Sequence, residues 1–122
     1  MLLGDAITRV EKPWGYELHW AKTDRYVGKV LFIRGGESLS LQYHRLKDES
    51  VYVSSGRLAL TIDEGGELVR KEIGPGGAFR VLPGMRHRYA AEIDTTLFEV
   101  STTELDDVVR IEDRYGRTSS DA

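Results

Sequence analysis

The sequence predicts an all-β protein that folds as a small jelly-roll barrel, a double-stranded β-helix. Short segments rich in β-branched, aromatic and leucine residues recur along the chain, and Gly, Pro, Asp and Ser separate them. No stretch keeps a period of 3.6 residues over three turns, and the nearest helical candidate, residues 103–110, is brief. Many short strands at close spacing favour a closed or two-sheet antiparallel architecture, because that arrangement limits unpaired strand edges.

Ten strands are predicted, and turn signals lie between them. Gly35-Gly36, Ser55-Gly56 and Gly65-Gly66 fall where an antiparallel chain would reverse. The predicted strands are 16–21, 26–34, 39–44, 50–55, 57–62, 67–73, 78–82, 86–91, 95–101 and 108–112.

The length of 122 residues predicts one domain, over residues 1–117, followed by a mobile tail over residues 118–122, which has no apolar anchor. Residues 1–10 include Asp5 and Arg9 and are too short in continuous hydrophobicity for a signal peptide. No later run approaches the roughly 20 apolar residues of a membrane span. We therefore expect a cytoplasmic protein with no membrane partner.

The charge balance and the absence of cysteine limit the classes of molecule and metal ligand that we expect for this protein. The 17 basic and 20 acidic residues give a formal charge of −3, which argues against nucleic acid, since such partners usually require a basic stripe. A small-molecule ligand is compatible with this balance. The chain contains no cysteine, so a tight metal site would have to use imidazole, carboxylate or amide ligands.

Two of the three histidines occur in a pattern that suggests metal ligands. Strand alternation places Ser40, Gln42 and His44 on one face, so two potential ligands point the same way. Glu49 follows a short polar connection, residues 45–48, which is long enough for a turn that brings the carboxylate back toward that face.

His87 is the expected fourth ligand. Two imidazoles, one carboxylate and one amide suit Zn, Mn, Fe, Co or Ni, and they leave positions open for substrate or water if the ion is five- or six-coordinate. On the residues alone, a strand histidine such as His44 could equally be a surface or hydrogen-bonded residue. His19 has no partner at a ligand spacing, and we expect it to be structural.

The spacing of these residues follows two motifs. Five residues separate a glycine from Gln42, one residue separates Gln42 from His44, four separate His44 from Glu49, and six separate Glu49 from the next glycine. The second motif combines Gly76, Pro83-Gly84 and His87. In this layout the sequence resembles the cupin superfamily, with Gln42 standing where most cupins have a first histidine.

The resemblance is sharper to the cupin domain of type II mannose-6-phosphate isomerases, which also have a glutamine at that position. Lys12-Pro13-Trp14-Gly15, residues 36–42 and residues 110–117 are similar to three further motifs of that family. The resemblance implies a divalent metal ion, a sugar-phosphate substrate, and Lys29 and Arg117 as catalytic residues. The nucleotidyltransferase half attached to many type II enzymes is not found in this sequence, so we expect no nucleotide role.

Two main functions remain open. One is a metal-dependent aldose–ketose isomerase acting on a hexose phosphate such as mannose 6-phosphate. The other is a non-catalytic, metal-containing cupin that binds a carbohydrate or another small metabolite, because Arg45, Leu46 and Ser50 replace histidines that the family often carries. An iron-dependent dioxygenase fits the ligand number only.

We also expect a homodimer. A small barrel with exposed strand edges tends to associate, and an antiparallel pair of subunits would cover those edges. Trp14, Tyr16 and Trp20 are expected at the barrel mouth or in a subunit interface.

Overall fold

The computed structural model describes residues 7–117, and these residues form strands and no helix. The predicted all-β jelly roll is therefore confirmed, whereas the predicted mobile tail over residues 118–122 lies outside the described residues. The strands are β1 (Thr8–Lys12), β2 (Gly15–Lys22), β3 (Val27–Ile33), β4 (Leu41–Tyr43), β5 (Glu49–Ser55), β6 (Leu58–Glu64), β7 (Glu67–Ile73), β8 (Ala78–Val81), β9 (His87–Ala91), β10 (Thr95–Ser101) and β11 (Val109–Glu112).

The strands form two antiparallel sheets. The six-stranded sheet has the order β1-β2-β3-β10-β5-β8, and the five-stranded sheet has the order β11-β4-β9-β6-β7. Strand β10 lies between β3 and β5, to which it pairs antiparallel, so a strand from the end of the chain closes the sheet begun near its start. Such crossovers between sheets define the jelly roll.

The core lies between the sheets and follows the strict alternation of the strands. In β5 and β10 every second residue is buried and the residues between them are more exposed. Leu31, Val53 and Leu97 from the six-stranded sheet meet Leu58 and Leu60 from the five-stranded sheet. This apolar packing fixes the two sheets face to face and leaves the remaining inward positions free for polar residues.

All ten predicted strands are present with small shifts at their ends, but β1 was not predicted. Its sequence, TRVEK, is mostly polar and buries none of its residues fully, so it gives no hydrophobic alternation. The strand forms through main-chain pairing with β2 at the edge of the sheet. A short charged edge strand of this kind also discourages pairing with another chain.

The aromatic residues near the start of the chain separate into two environments. Trp14 is buried in the core, so of the two places expected for it, the barrel mouth and a subunit interface, its burial is compatible only with the first. Tyr16 stacks on Phe32 on the outer side of the six-stranded sheet.

Within residues 7–117 no helix could span a membrane.

Gly56 and Gly36 provide a matched test of the packing at the turns. Both have a positive φ, of 86° and 87°, so alanine at either position costs about 1–2 kcal/mol. A Cβ on Gly56 would lie 2.3 Å from the carbonyl oxygen of Asp94, whereas a Cβ on Gly36 would meet nothing within 4 Å. We expect Gly56→Ala to lower the free energy of unfolding by about 1–3 kcal/mol more than Gly36→Ala in urea titrations. Equal losses would contradict the close approach.

Candidate functional site

A cavity of about 700 Å³ lies between the two sheets, and residues of both sheets line it. Its walls carry polar and charged side chains, among them His44, Glu49 and His87, together with residues of the apolar core such as Leu31 and Leu39. Burying such groups costs free energy unless each has a partner or a ligand. This cavity is therefore the candidate functional site.

His44, Glu49 and His87 bring three potential ligand atoms together. His44 directly follows β4, Glu49 begins β5 and His87 begins β9. Nε2 of His44 lies 2.8 Å from Oε1 of Glu49, and Nε2 of His87 lies 4.0 Å from the same oxygen. All three side chains are buried, and their ligand atoms lie within 4.8 Å of one another. The group could hold a metal ion, since atoms about 2.1 Å from a common ion are spaced roughly 3–3.5 Å apart.

Backbone carbonyls orient both imidazoles. Nδ1 of His44 lies 2.5 Å from the carbonyl oxygen of Asp107, and Nδ1 of His87 lies 2.9 Å from that of Met85. A carbonyl only accepts, so each Nδ1 donates, and Nε2 of the neutral ring carries a lone pair. Burial lowers the pKa of His87 to about 4 despite the nearby charge of Glu49, so this ring is neutral at neutral pH. Such fixed tautomers are typical of metal-ligating histidines.

The Glu49 carboxylate completes the donor set. Its Oε2 accepts a hydrogen bond of 3.0 Å from the hydroxyl of Tyr89, but its buried Oε1 accepts none within residues 7–117. Burial raises the pKa of Glu49, but the positive charge of Lys47 opposes burial, and the pKa lies below its usual value. An ionised carboxylate with one unsatisfied oxygen beside two imidazole nitrogens fits a divalent cation.

Asp107 holds the loop between β4 and β5. Its carboxylate accepts hydrogen bonds from the backbone N–H groups of Arg45, Leu46 and Lys47, at 3.0, 2.7 and 3.0 Å. Its own carbonyl accepts the bond from His44. Burial raises the pKa of Asp107, but the three backbone donors outweigh it and lower the pKa. One residue thus positions the potential ligand His44 and the chain that leads to Glu49.

Further charges alternate along the cavity wall. Nζ of Lys47 lies 3.8 Å from Oε1 of Glu49 and 3.2 Å from Oε2 of Glu99. Burial and the charge of Glu49 raise the pKa of Glu99 to about 7. Lys29 lies directly opposite Glu99 across β3 and β10, and its Nζ is 3.4 Å from Oε1 of Glu17. Each buried charge therefore has an opposite charge beside it.

The residues predicted from the sequence all line this cavity. Gln42 pairs with His87 across β4 and β9, and Lys29 and Arg117 also reach the cavity wall. The guanidinium of Arg117 forms a double hydrogen bond with the carboxylate of Asp113, at 2.9 and 3.0 Å.

Several cavity residues were missed by the sequence reasoning. Lys47, Glu99 and Tyr89 line the wall, and His19 does so as well, with its Nε2 2.8 Å from Oε1 of Glu17. The sequence pattern could have indicated Glu99 as a cavity residue, because it is the one charged residue of β10 and strand alternation places it on the inward face. Glu17 and His19 also share a face by alternation.

Asp107→Ala should destabilise the protein, because three backbone donors lose their acceptor. We expect a loss of about 2 kcal/mol in the free energy of unfolding at pH 7. The lowered pKa means that the ionised carboxylate favours the folded state above about pH 4, and this contribution is lost as the pH falls through the folded-state value. In urea titrations from pH 7 to pH 2.5, the free energies of unfolding of Asp107→Ala and the wild type should therefore converge below pH 4.

The control for that change is the neighbouring Asp106→Ala, since Asp106 is exposed. The free energy of unfolding of Asp106→Ala should stay within about 0.5 kcal/mol of the wild-type value at every pH. A gap between the wild type and Asp107→Ala that stayed constant down to pH 2.5 would contradict the assigned role of the carboxylate.

Comparison with known proteins identifies the family. A family model described as a cupin domain matches residues 29–101. The mannose-1-phosphate guanylyltransferase of Escherichia coli (strain K12) is 36% identical over 113 residues, which cover 88% of this chain and 23% of that protein. The chain thus spans about a quarter of the length of the curated relatives that it matches.

Solved structures share the fold at low sequence identity. The capsular polysaccharide assembling protein CapF from Staphylococcus aureus has a TM-score of 0.77 and 17% identity, over 87% of this chain and 32% of that chain. Oxalate decarboxylase from Bacillus subtilis has a TM-score of 0.75 and 17% identity, over 87% of this chain and 30% of that chain. The family model covers more than half of the sequence, and the chain therefore belongs to the cupin family.

Proposed function

We propose that this protein is a metal-dependent sugar-phosphate isomerase, which interconverts an aldose and a ketose phosphate such as mannose 6-phosphate and fructose 6-phosphate. The observation that carries the proposal is the buried group of His44, Glu49 and His87 on the wall of a cavity that also holds two guanidinium groups. The name of the Escherichia coli relative, a mannose-1-phosphate guanylyltransferase, supports phosphorylated mannose as the ligand class.

We assign the metal to His44, Glu49 and His87, with Gln42 as the fourth ligand. Gln42 lines the same cavity and is the cross-strand neighbour of His87. The mixed nitrogen and oxygen donors suit Zn, Mn, Fe, Co or Ni. When bound, such an ion would act as a Lewis acid toward a substrate carbonyl.

Arg110 and Arg117 are the proposed phosphate-binding groups. Arg110 pairs with Gln42 across β11 and β4, and Gln42 pairs with His87, so Arg110 and His87 are two strands apart, roughly 10 Å. Burial and the charge of Arg117 lower the pKa of Arg110. Arg117 is ion-paired with Asp113, whereas Arg110 has no ion pair within residues 7–117. A phosphate would relieve this repulsion and accept paired N–H bonds.

Isomerisation also requires a group that takes a proton from one carbon and returns it to the next. Glu49 is a ligand in this proposal and hence a poor base. Lys29, assigned from the family resemblance, lies on the cavity wall beside Glu17. Glu99 lies directly opposite Lys29 in the same wall and is the second candidate.

A non-catalytic cupin that binds a sugar phosphate is the second candidate function, and one observation favours it. The chain has only three histidines. His44 and His87 are assigned to the metal, and His19 is paired with Glu17, so no free imidazole remains for proton transfer. If the protein only binds, the sugar phosphate would raise the melting temperature of the protein and would not be converted.

Removal of one ligand tests the metal site. We expect wild-type protein loaded with Zn, Mn, Fe, Co or Ni and then desalted to retain about one ion per chain by elemental analysis. His87→Ala should retain almost none, because one lone pair of the set is lost. His19→Ala lines the same cavity and should retain the wild-type content. Metal content unchanged in His87→Ala would refute the assignment.

Turnover tests the isomerase proposal. Metal-loaded protein should convert mannose 6-phosphate to fructose 6-phosphate in a coupled assay. Arg110→Gln should raise KM roughly tenfold or more, since losing one charged contact of about 1.4 kcal/mol or more weakens binding at least tenfold. Arg70→Gln, an exposed arginine on β7, serves as the matched control. No conversion with any of the five metals, together with thermal stabilisation by mannose 6-phosphate, would exclude the isomerase and favour the binding protein.

A further inference from the structure

Lys47 places a buried positive charge beside the candidate metal site, where the proposed function gives it no role. Its Nζ lies 3.8 Å from Oε1 of Glu49. The same oxygen lies 2.8 Å from Nε2 of His44 and accepts no hydrogen bond within residues 7–117. A divalent cation at this site and the ammonium group of Lys47 would therefore be attracted to a single carboxylate oxygen.

A second buried carboxylate holds Lys47 from the other side. Nζ of Lys47 lies 3.2 Å from Oε2 of Glu99, which is closer than its distance to Glu49. The backbone N–H of Lys47 donates a hydrogen bond of 3.0 Å to the carboxylate of Asp107, so the main chain at this position is fixed. The flexible four-carbon side chain can then pair more closely with either glutamate without leaving the cavity.

The short distance from Nζ to Oε1 limits how far the ammonium could be from a bound ion. An ion about 2.1 Å from Oε1 of Glu49 would lie within about 6 Å of Nζ of Lys47, because only 3.8 Å separates the two side-chain atoms. At about 6 Å, a divalent ion and an ammonium repel each other enough to weaken binding roughly tenfold even with the dielectric constant of bulk water. The repulsion is stronger in a buried site, so Lys47 is close enough to control metal affinity.

We propose that Lys47 competes with the metal ion for Glu49 and thereby lowers the affinity of the site for divalent cations. Glu99 is a positioning residue in this arrangement, because it accepts the ammonium group when an ion takes Oε1 of Glu49. This role rests on the proposed assignment of the metal to His44, Glu49 and His87. It adds a determinant of metal affinity that lies outside the set of ligands.

The same ammonium would influence the chemistry of a bound ion. A positive charge beside the carboxylate of Glu49 weakens the donation of electron density from that ligand, so the ion keeps more positive charge for other oxygen atoms. Groups next to the ligands commonly tune a metal in this way. Lys47 would therefore exchange some metal affinity for a stronger Lewis acid, which is the property that the proposed isomerase requires.

The zinc affinity of two charge variants tests this role, with Zn²⁺ alone as the probe in competition with a chelating dye. Lys47→Met should bind Zn²⁺ roughly tenfold more tightly than the wild type. Its melting temperature without metal should nevertheless be lower, because Glu49 and Glu99 lose the cation that they share. Glu99→Gln should bind Zn²⁺ more weakly than the wild type, because Lys47 then pairs with Glu49 alone. A merely structural role of Lys47 would instead weaken zinc binding in Lys47→Met.

A double variant and a matched control complete the test. Lys47→Met/Glu99→Gln removes the ion pair as a unit and is chosen in case Lys47→Met does not fold; it should bind Zn²⁺ roughly tenfold more tightly than Glu99→Gln. Lys22→Met is the control, since Lys22 lines the same cavity. Three strand spacings, roughly 14 Å, separate Lys22 from Glu49 in the six-stranded sheet, so its zinc affinity should stay within about threefold of the wild type.

The outcomes separate this role from the metal assignment on which it rests. Unchanged or weaker zinc binding in folded Lys47→Met, or tighter binding in Glu99→Gln, would overturn the role of Lys47 and leave the metal site in place. A gain in Lys22→Met as large as that in Lys47→Met would also overturn it, because the total charge of the cavity would then explain the effect. Wild-type protein that binds no Zn²⁺ and no other divalent ion would overturn the metal assignment itself.

Discussion

The buried carboxylate of Glu49 is the feature on which the arrangement of the barrel interior depends. An ionised group without water is costly unless opposite charges and hydrogen-bond donors surround it. Tyr89 donates to one oxygen, His44 lies beside the other, and Lys47 approaches within 3.8 Å. Lys47 in turn contacts Glu99, so compensation of one charge introduces another inside the barrel. The wall is a chain of alternating charges that extends from this carboxylate.

This interior explains the unusual distribution of residues in the six-stranded sheet. Strand alternation offers each strand two faces, and here the inner face carries charges around the cavity. The outer face of the four central strands, β2, β3, β5 and β10, is uncharged and carries aromatic pairs such as Tyr52 and Phe98.

The part of the site that follows from local rules could be predicted from the sequence. Alternation alone places Gln42 and His44 on one face, and motif spacing adds Glu49 and His87. Lys47 and Asp107 could not be found this way, because their roles arise only when the loop after β10 closes against the loop after β4. Strand β1 was missed for a related reason: it is stabilised by pairing with β2 and shows no apolar alternation of its own.

The hydrogen bond from His44 to the carbonyl of Asp107 joins residues 63 positions apart, and that from Tyr89 to Glu49 spans 40 positions. Such contacts of high sequence separation form late, because the closure of long loops must precede them. The arrangement of these potential ligands therefore exists only once β9, β10 and the following loop have joined the barrel. In contrast to small metal-nucleated domains, whose folding waits for the ion, a metal ion at this site would meet its full ligand set only in the folded scaffold.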